Sequence, residues 1–553
     1  MSAEKEVAAT AESDGDVVCE SGNGSSGPSL NCETSEPKQE KKESNVRLVL
    51  LFAAMAIAVF CGGLDANLVA PAIPSITDAL GSSDDAGWYG TAYYLALSCC
   101  QMGWAQVYKA FPAKPVFFGA FLVFELGCLL GALAPNSAAV IIGRAISGAG
   151  ISGTFVGALI IVSYIIPLRW RPMMSAFFSV LIGSTQTAGP VLGGALTSRL
   201  SWRWCFWINL PLGGASVILA LLGSKIKDPA SRRGGKTMKQ VVRDFDFLSL
   251  AIWIPAVVCL TLILQFGGLR YAWTSGSLIA LYVVTVALFA LFVVIQVRHG
   301  DSALAPVRIV KQRSLACSAL YVLLMQAAKS QLAYFLPIFF QASQGKSALQ
   351  SGVDTIPSFL SYVVFQISAS MSMSWLGYYT PFMLTGSAVG IAGTALLSTL
   401  TVSTSSPKWI GFQILASAGF GMGFNGPNVA AQTVFQDPRD TPTALTIITT
   451  CQDLGGSLGT SIGEAILGDQ VRRQLRRVLP GLTTKQISDE GITGLQNLVA
   501  PDQRYHVAEA YAYAVRAVFY GSTALVAVTL VLACFVEWKS IKGKGKKGEK
   551  KDS

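Results

Sequence analysis

The stretch "STQTAGPVLGGALTSRLSWRWCFWINLP", residues 184–211, decides the fold. Its core, GPVLGG at 189–194, places three glycines and a proline in a segment apolar enough to lie in lipid. Lipid offers the backbone no partners, so such a segment must be a helix and its glycines need a reason. Gly189, Gly193 and Gly194 strip side chains from one face so that a neighbouring helix can approach, while Pro190 removes a backbone donor and bends the helix. A bent, smooth helix acts as a hinge or a seal.

Composition supports a membrane setting. Of 553 residues, 52% are hydrophobic and only 13% are charged, too few to cover the chain with polar surface. Runs of roughly 20 apolar residues recur about fourteen times between residues 48 and 536, each able to cross a bilayer. The net charge of +10 does not indicate nucleic acid, because the basic residues fall in short gaps between these runs and in the C-terminal "KSIKGKGKKGEKKDS". The gaps 224–246 (Lys225, Lys227, Arg232, Arg233, Lys236, Lys239, Arg243) and 298–315 (Arg298, Arg308, Lys311, Arg313) are therefore expected in the cytoplasm. The first outer gap, with Asp78, Asp84 and Asp85, agrees; Arg199 and Arg203 do not. In the outer segment 468–513, Val471, Leu475, Val478 and Leu479 alternate with four arginines, which predicts a helix lying on the outer surface. The first 45 residues are too polar to fold or to serve as a signal peptide, and the sequon at Asn23 within them is expected to be silent. The eleven cysteines lack metal-ligand spacing and read as small core residues, and no catalytic constellation stands out. "ASRRGGKT" at 230–237 fits a phosphate loop only loosely and has no room for a nucleotide-binding domain, so energy would come from an ion gradient rather than a bound cofactor.

Ionisable residues within the apolar runs are functional candidates by default: Asp65, Glu125, Arg144, Lys329, Asp453 and Glu464. Asp65 in the first run and Arg144 in the fourth both fall within about 10 Å of the outer boundary, so they could pair. A carboxylate beside an arginine stays ionised and takes up a proton when the arginine turns away, which is the element a proton-coupled carrier needs. A fixed pair that only braces two helices is the alternative. Glu125 stands level with no arginine, and a protonated carboxyl donating to a backbone carbonyl is its plain reading. Asp453 and Glu464 share one helical face, and Lys329 could answer either. Gly455, Gly456, Gly459 and Gly463 make a smooth face on the thirteenth run comparable to that of the fifth, an internal symmetry expected of carriers built from repeats.

Several of these stretches resemble the fourteen-span drug:proton antiporters of the major facilitator superfamily, above all the fungal exporters of toxins and other secondary metabolites. "LDANLVAPAIPSI" (64–76) is similar to the first-span motif, "GRAISGAG" (143–150) to the fourth-span motif with Arg144, Gly148 and Gly150, and GPVLGG to the fifth-span motif associated with export. "SWRWCFWINLPLGG" (201–214), "YFLPIFFQASQGKSALQSGVDTIP" (334–357) and "GYYTPFML" (377–384) resemble the fungal branch, and the likeness covers roughly residues 46–537. The chain departs from the superfamily's pattern in "QVYKAFPAKP" (106–115), which lacks the acidic residue and paired basic residues of the gating motif and resembles the degenerate form of the fungal branch, at Thr185 and at Asp453. The resemblance implies an all-α membrane protein of the major facilitator fold. Its expected parts are a disordered cytoplasmic tail (1–46), a six-helix bundle (47–223), a cytoplasmic loop (224–246), two linker helices (247–297), a second six-helix bundle (298–537) holding the extracellular segment 468–513, and a basic tail (538–553).

The resemblance further implies a monomeric, proton-coupled exporter of a small, largely apolar molecule, in the plasma membrane or, less in keeping with export, the vacuolar membrane. Its proton-coupling candidates are Asp65, Arg144, Glu125 and Asp453. Its cavity candidates are Asn67, Gln186, Gln326, Gln331, Tyr334, Asn425, Asn428, Gln432 and Gln452, although glutamines in spans often serve as interhelical glue. A siderophore importer or a vacuolar carrier of basic amino acids would share the fold; a non-transporting sensor would need a signalling domain for which the tails are too short.

Overall fold

The structure is a computed structural model that describes residues 40–82, 85–223, 245–267, 271, 273–437, 440–478 and 503–542. The described residues from Val46 onward form one compact unit. The long helices, in chain order, are α1 (Glu40–Leu68), α2 (Ala86–Ala110), α3 (Ala113–Ala132), α4 (Ser137–Ile165), α5 (Arg171–Arg199), α6 (Asn209–Gly223), α7 (Phe247–Phe266), α8 (Gly276–His299), α9 (Arg313–Ile338), α10 (Ile356–Leu376), α11 (Thr380–Leu397), α12 (Ser406–Phe424), α13 (Thr441–Val478) and α14 (Arg504–Phe535). A short helix, Gly426–Val434, continues α12.

Local chemistry sets many of the helix ends. The side chains of Asn136, Asp246, Ser275 and Gln312 accept from the backbone at the starts of α4, α7, α8 and α9. Prolines occupy the first turns of α5, α10, α11 and α12, where a missing N–H costs nothing. Gly377, at φ 89°, ends α10 in the left-handed conformation.

Nine of the described helices are long and apolar enough to cross a membrane by length and composition alone. That figure falls short of the fourteen expected runs for a physical reason. Helices α2, α5 and α13 turn Ser, Thr, Gln and Tyr side chains toward an internal cavity, which lowers their mean hydropathy; the apolar part of α7 is short, and α12 carries Lys408, Gln413 and several Ser and Gly residues.

Glycine contacts bear out the repeat. In the first half the fifth helix rests on the first: a Cβ at Gly189 would lie 2.5 Å from that of Asn67, and one at Gly193 would overlap the Leu68 carbonyl oxygen. In the second half the equivalent helix, α13, rests on α9 in the same way, with Gly455 against the Leu323 carbonyl and Gly459 against that of Ala327. Helices α7 and α8 pack beside both halves, with Trp253, Val257 and Phe292 joined to Cys99 and Met102 of α2 and to Leu454 of α13.

Two expectations are corrected. Helix α1 begins at Glu40, inside the segment expected to be disordered. The arginine-rich segment is no separate surface helix. It continues α13 to Val478, and Val471 and Leu475 are buried against Val507, Ala510, Tyr511 and Ala514 of α14, which starts at Arg504 and so supplies a partner. The basic tail is anchored at its root, where the Ile541 N–H donates to the Gly377 carbonyl (2.9 Å) and Tyr379 Oη to that of Glu537 (2.8 Å). The sequon at Asn23 and the segment 230–237 lie outside the described residues.

Candidate functional site

Asp65 near the end of α1 and Arg144 early in α4 meet in the interior, with Arg144 Nη1 2.6 Å from Asp65 Oδ2 and neither side chain more than 1% exposed. Asp65 Oδ1 accepts from Asn209 Nδ2 at the start of α6 (3.2 Å), and the Cys128 thiol of α3 approaches the same oxygen (3.9 Å). Arg144 Nε donates to the Tyr89 carbonyl (2.9 Å), and the guanidinium lies 4.3 Å from the centre of the Tyr93 ring. A buried charge pair is tolerable when its remaining valences are filled in this way. The close approach of α2 and α3 to α4 depends on missing side chains: a Cβ at Gly148 would strike the Tyr93 carbonyl, and one at Gly150 the Phe124 backbone of α3.

Glu125 lies close enough to interact electrostatically with Asp65 and is buried against Gly213 of α6. Among the described residues neither of its carboxyl oxygens has a hydrogen-bond partner, so the expected donation to a backbone carbonyl is not made there.

Beside the pair lies a cavity of about 1120 Å³, lined from both halves. Asn67, Gln186, Gln326, Tyr334, Asn425, Asn428 and Gln452 line it, as do Lys329, Asp453 and Glu464. Two candidates do not. Gln331 is glue: its Nε2 donates to the Gly459 carbonyl of α13 (3.1 Å), and its Oε1 accepts from Ser522 of α14 (2.5 Å). Gln432 is fully buried away from the cavity, in the continuation of α12. Lys329 answers neither Asp453 nor Glu464. Asp453 faces Gln101, Glu464 faces Tyr334, and the Lys329 cation sits over aromatic rings instead.

The ion pair itself does not line the cavity; Tyr93 does. Its ring covers Arg144 and its Oη donates to the Gly62 carbonyl (2.9 Å), so one side chain separates charge pair from cavity. Tyr93 and Asn209 are not among the residues expected from the sequence, where the coupling candidates were all charged side chains. An asparagine and an aromatic ring in apolar runs were the available signals.

Of the GPVLGG residues, Gly189 and Gly193 face α1, as expected of a smooth face, whereas Gly194 has open space beside it and is not part of that contact. Four residues on in a helix return to the same face and five do not. Helix α5 runs unbroken through Pro190.

At the end that charge places in the cytoplasm, the halves share a hydrophobic cluster that joins Leu51, Met55 and Ile161 to Leu315, Val322, Phe435 and Leu445. Arg169 Nε also donates to the Ser374 carbonyl of α10 (3.1 Å) across the same seam. At the opposite end the clusters around Leu68 and around Leu475 each stay within one half. The two halves therefore meet through apolar contacts at the basic end.

The family model for the Major Facilitator Superfamily matches residues 55–460. The chain belongs to the major facilitator superfamily. Members of this superfamily are transporters, so the chain is a multi-pass membrane transporter and not an enzyme. It is 38% identical over 502 residues to the MFS-type efflux pump MFS1 of Arthroderma benhamiae, covering 91% of this chain and 93% of the relative. It is 36% identical over 500 residues to the efflux pump aflT of Aspergillus parasiticus, covering 90% and 97%. Among solved structures, the proton:xylose symporter XylE superposes with a TM-score of 0.58 at 13% identity (90% of this chain, 98% of that one), and the human organic anion transporter MFSD10 with 0.56 at 14% (89% and 99%). These two likenesses support the fold.

Proposed function

We propose that this superfamily member is a monomeric, proton-driven efflux transporter of the plasma membrane, exporting a small, largely apolar molecule such as a fungal secondary metabolite, mycotoxin or drug. Relatives named as efflux pumps over nine-tenths of the chain support the direction of transport. The observation that carries the coupling is the buried Asp65–Arg144 pair, held one tyrosine away from a cavity of a size suited to a drug-like molecule. A carboxylate whose cation, ring and asparagine partners come from three other helices feels any rearrangement of the bundle around the cavity. Its proton affinity and the orientation of the carrier are then linked, as alternating access requires. The proton gradient is the energy source in this reading, with Glu125 and Asp453 as further proton-accepting groups. The test is efflux in membrane vesicles of known orientation with the pH gradient imposed, reversed or collapsed. Transport of a secondary metabolite that ignores the gradient would remove the coupling, and uptake into intact cells would reverse the direction.

A further inference from the structure

Among the described residues that line the central cavity, Lys329 of α9 is the one basic side chain. Among the described residues it has no ion-pair partner. Its Nζ lies 4.2 Å from the centre of the Tyr362 ring and 4.9 Å from that of Phe424, and these two rings stand edge to face at 5.8 Å, forming a corner between α10 and α12. The cavity's two carboxyl groups belong to α13 and are turned elsewhere, Asp453 toward Gln101 of α2 and Glu464 toward Tyr334. Aromatic faces offset only part of the cost of taking an ammonium group out of water. They also hold the long side chain still, with its donors available to the cavity. An oriented, unneutralised cation in a low-dielectric cleft is a strong anchor for an anion. Phe359 and Phe420 line the same cavity and offer flat apolar surface to the rest of a ligand.

We propose that Lys329 recognises an acidic group on the exported molecule, a carboxylate or an ionised enol or phenol, carried on a largely aromatic body. The proposal rests on the export reading for the word "exported", but the recognition is a property of the cavity and can be measured without flux. The competing role for Lys329 is that of a counter-ion to Asp453 or Glu464 after a rearrangement, with no part in substrate choice.

The full-length protein in lipid nanodiscs, without any pH gradient, is titrated at neutral pH with pyrenecarboxylate and separately with its methyl ester, empty nanodiscs correcting for partition into lipid. The wild type is expected to bind the acid at least about tenfold more tightly than the ester, since a hydrogen bond to a charged group is worth at least that factor. Lys329→Gln should erase the preference while leaving ester binding within about twofold, and Lys329→Arg should keep it. Thermal unfolding of each variant separates lost recognition from lost structure. A wild type without preference for the acid, including one that binds neither compound, overturns the proposal. So does a Lys329→Gln variant that keeps the preference, or one that loses both ligands alike. Because no transport is measured, failure here leaves the efflux reading standing, and failure of the vesicle assay leaves this one intact.

Discussion

Gly193 of α5 lies directly on the Leu68 carbonyl at the end of α1, with the Pro71 ring beside it, so that a single added methyl group would overlap backbone. Its neighbour Gly194 has no atom within 4 Å of such a methyl group. Gly193→Ala should therefore introduce overpacking of about 1–3 kcal/mol, and Gly193→Leu more, at a contact between two helices that line the cavity. Both variants are expected in the membrane with efflux reduced, almost abolished for leucine, while Gly194→Ala transports normally. Efflux per molecule at the membrane is the measurement, and equal behaviour of the two alanine variants would remove the close contact from the account.

Tyr93 supplies both the ring over Arg144 and a hydrogen bond to the Gly62 carbonyl. Tyr93→Phe retains the ring and gives up one neutral hydrogen bond, a loss of about 1 kcal/mol, so coupled efflux should fall only modestly. Tyr93→Ala takes away the barrier between the ion pair and the cavity, together with a cation–π contact worth about 2 kcal/mol where water is excluded. That variant should leak protons without exporting substrate. Acidification of vesicles in the absence of substrate reads the leak, and a tight Tyr93→Ala variant would show that the ring is not the barrier.

Leu475 and Arg476 are adjacent in sequence but differ in burial, because the end of α13 packs against α14. A cysteine at Arg476 should react with an impermeant thiol reagent on intact cells, and one at Leu475 should react only after denaturation. Labelling of position 476 only after permeabilisation would reverse the topology of this segment. Labelling of both at equal rates would restore a loosely lying surface helix.

The membrane fold was legible because lipid imposes its constraint on every residue of a span, and composition reports it repeatedly. The Asp65–Arg144 pair was legible for the same reason: charges in apolar runs are rare, and helical rise puts these two at one depth. Gln331 and Gln432 were not separable from Gln326 and Gln452, because a polar residue on a span looks the same facing a cavity or a neighbouring helix. Only the rotation of each helix, set by contacts such as Gly459 on α9, decides between them. Lys329 was misassigned through a related gap, since sequence suggests a carboxylate partner for a lysine but gives no view of two rings arriving from α10 and α12. The arginines after residue 471 hid the continuation of α13 because a helix packed on another protein segment and one lying on a membrane share the same amphipathic pattern.

The coupling role of Asp65 admits the sharpest test. Asp65→Asn keeps the size of the side chain and its ability to accept from Asn209 but cannot release or take up a proton. If the Asp65–Arg144 pair is the element through which the gradient acts, this variant should still bind substrate and exchange it across the vesicle membrane, yet a pH gradient should no longer accelerate net efflux above the rate without one. Arg144→Ala should also lose the acceleration, by removing the cation that distinguishes the two protonation states. A pair that only braces α1 against α4 has a different signature. Removing one partner from a buried pair is strongly destabilising, by about 3–5 kcal/mol, so both variants would disappear from the membrane and the remaining molecules would respond to the gradient as the wild type does. Efflux in oriented vesicles, normalised to the amount of protein and measured with and without the gradient, separates these outcomes. Gradient-driven transport by Asp65→Asn at the wild-type rate per molecule would sink the role. Glu125, buried beside Asp65 with both carboxyl oxygens unpartnered among the described residues, would then be the next residue to exchange for glutamine.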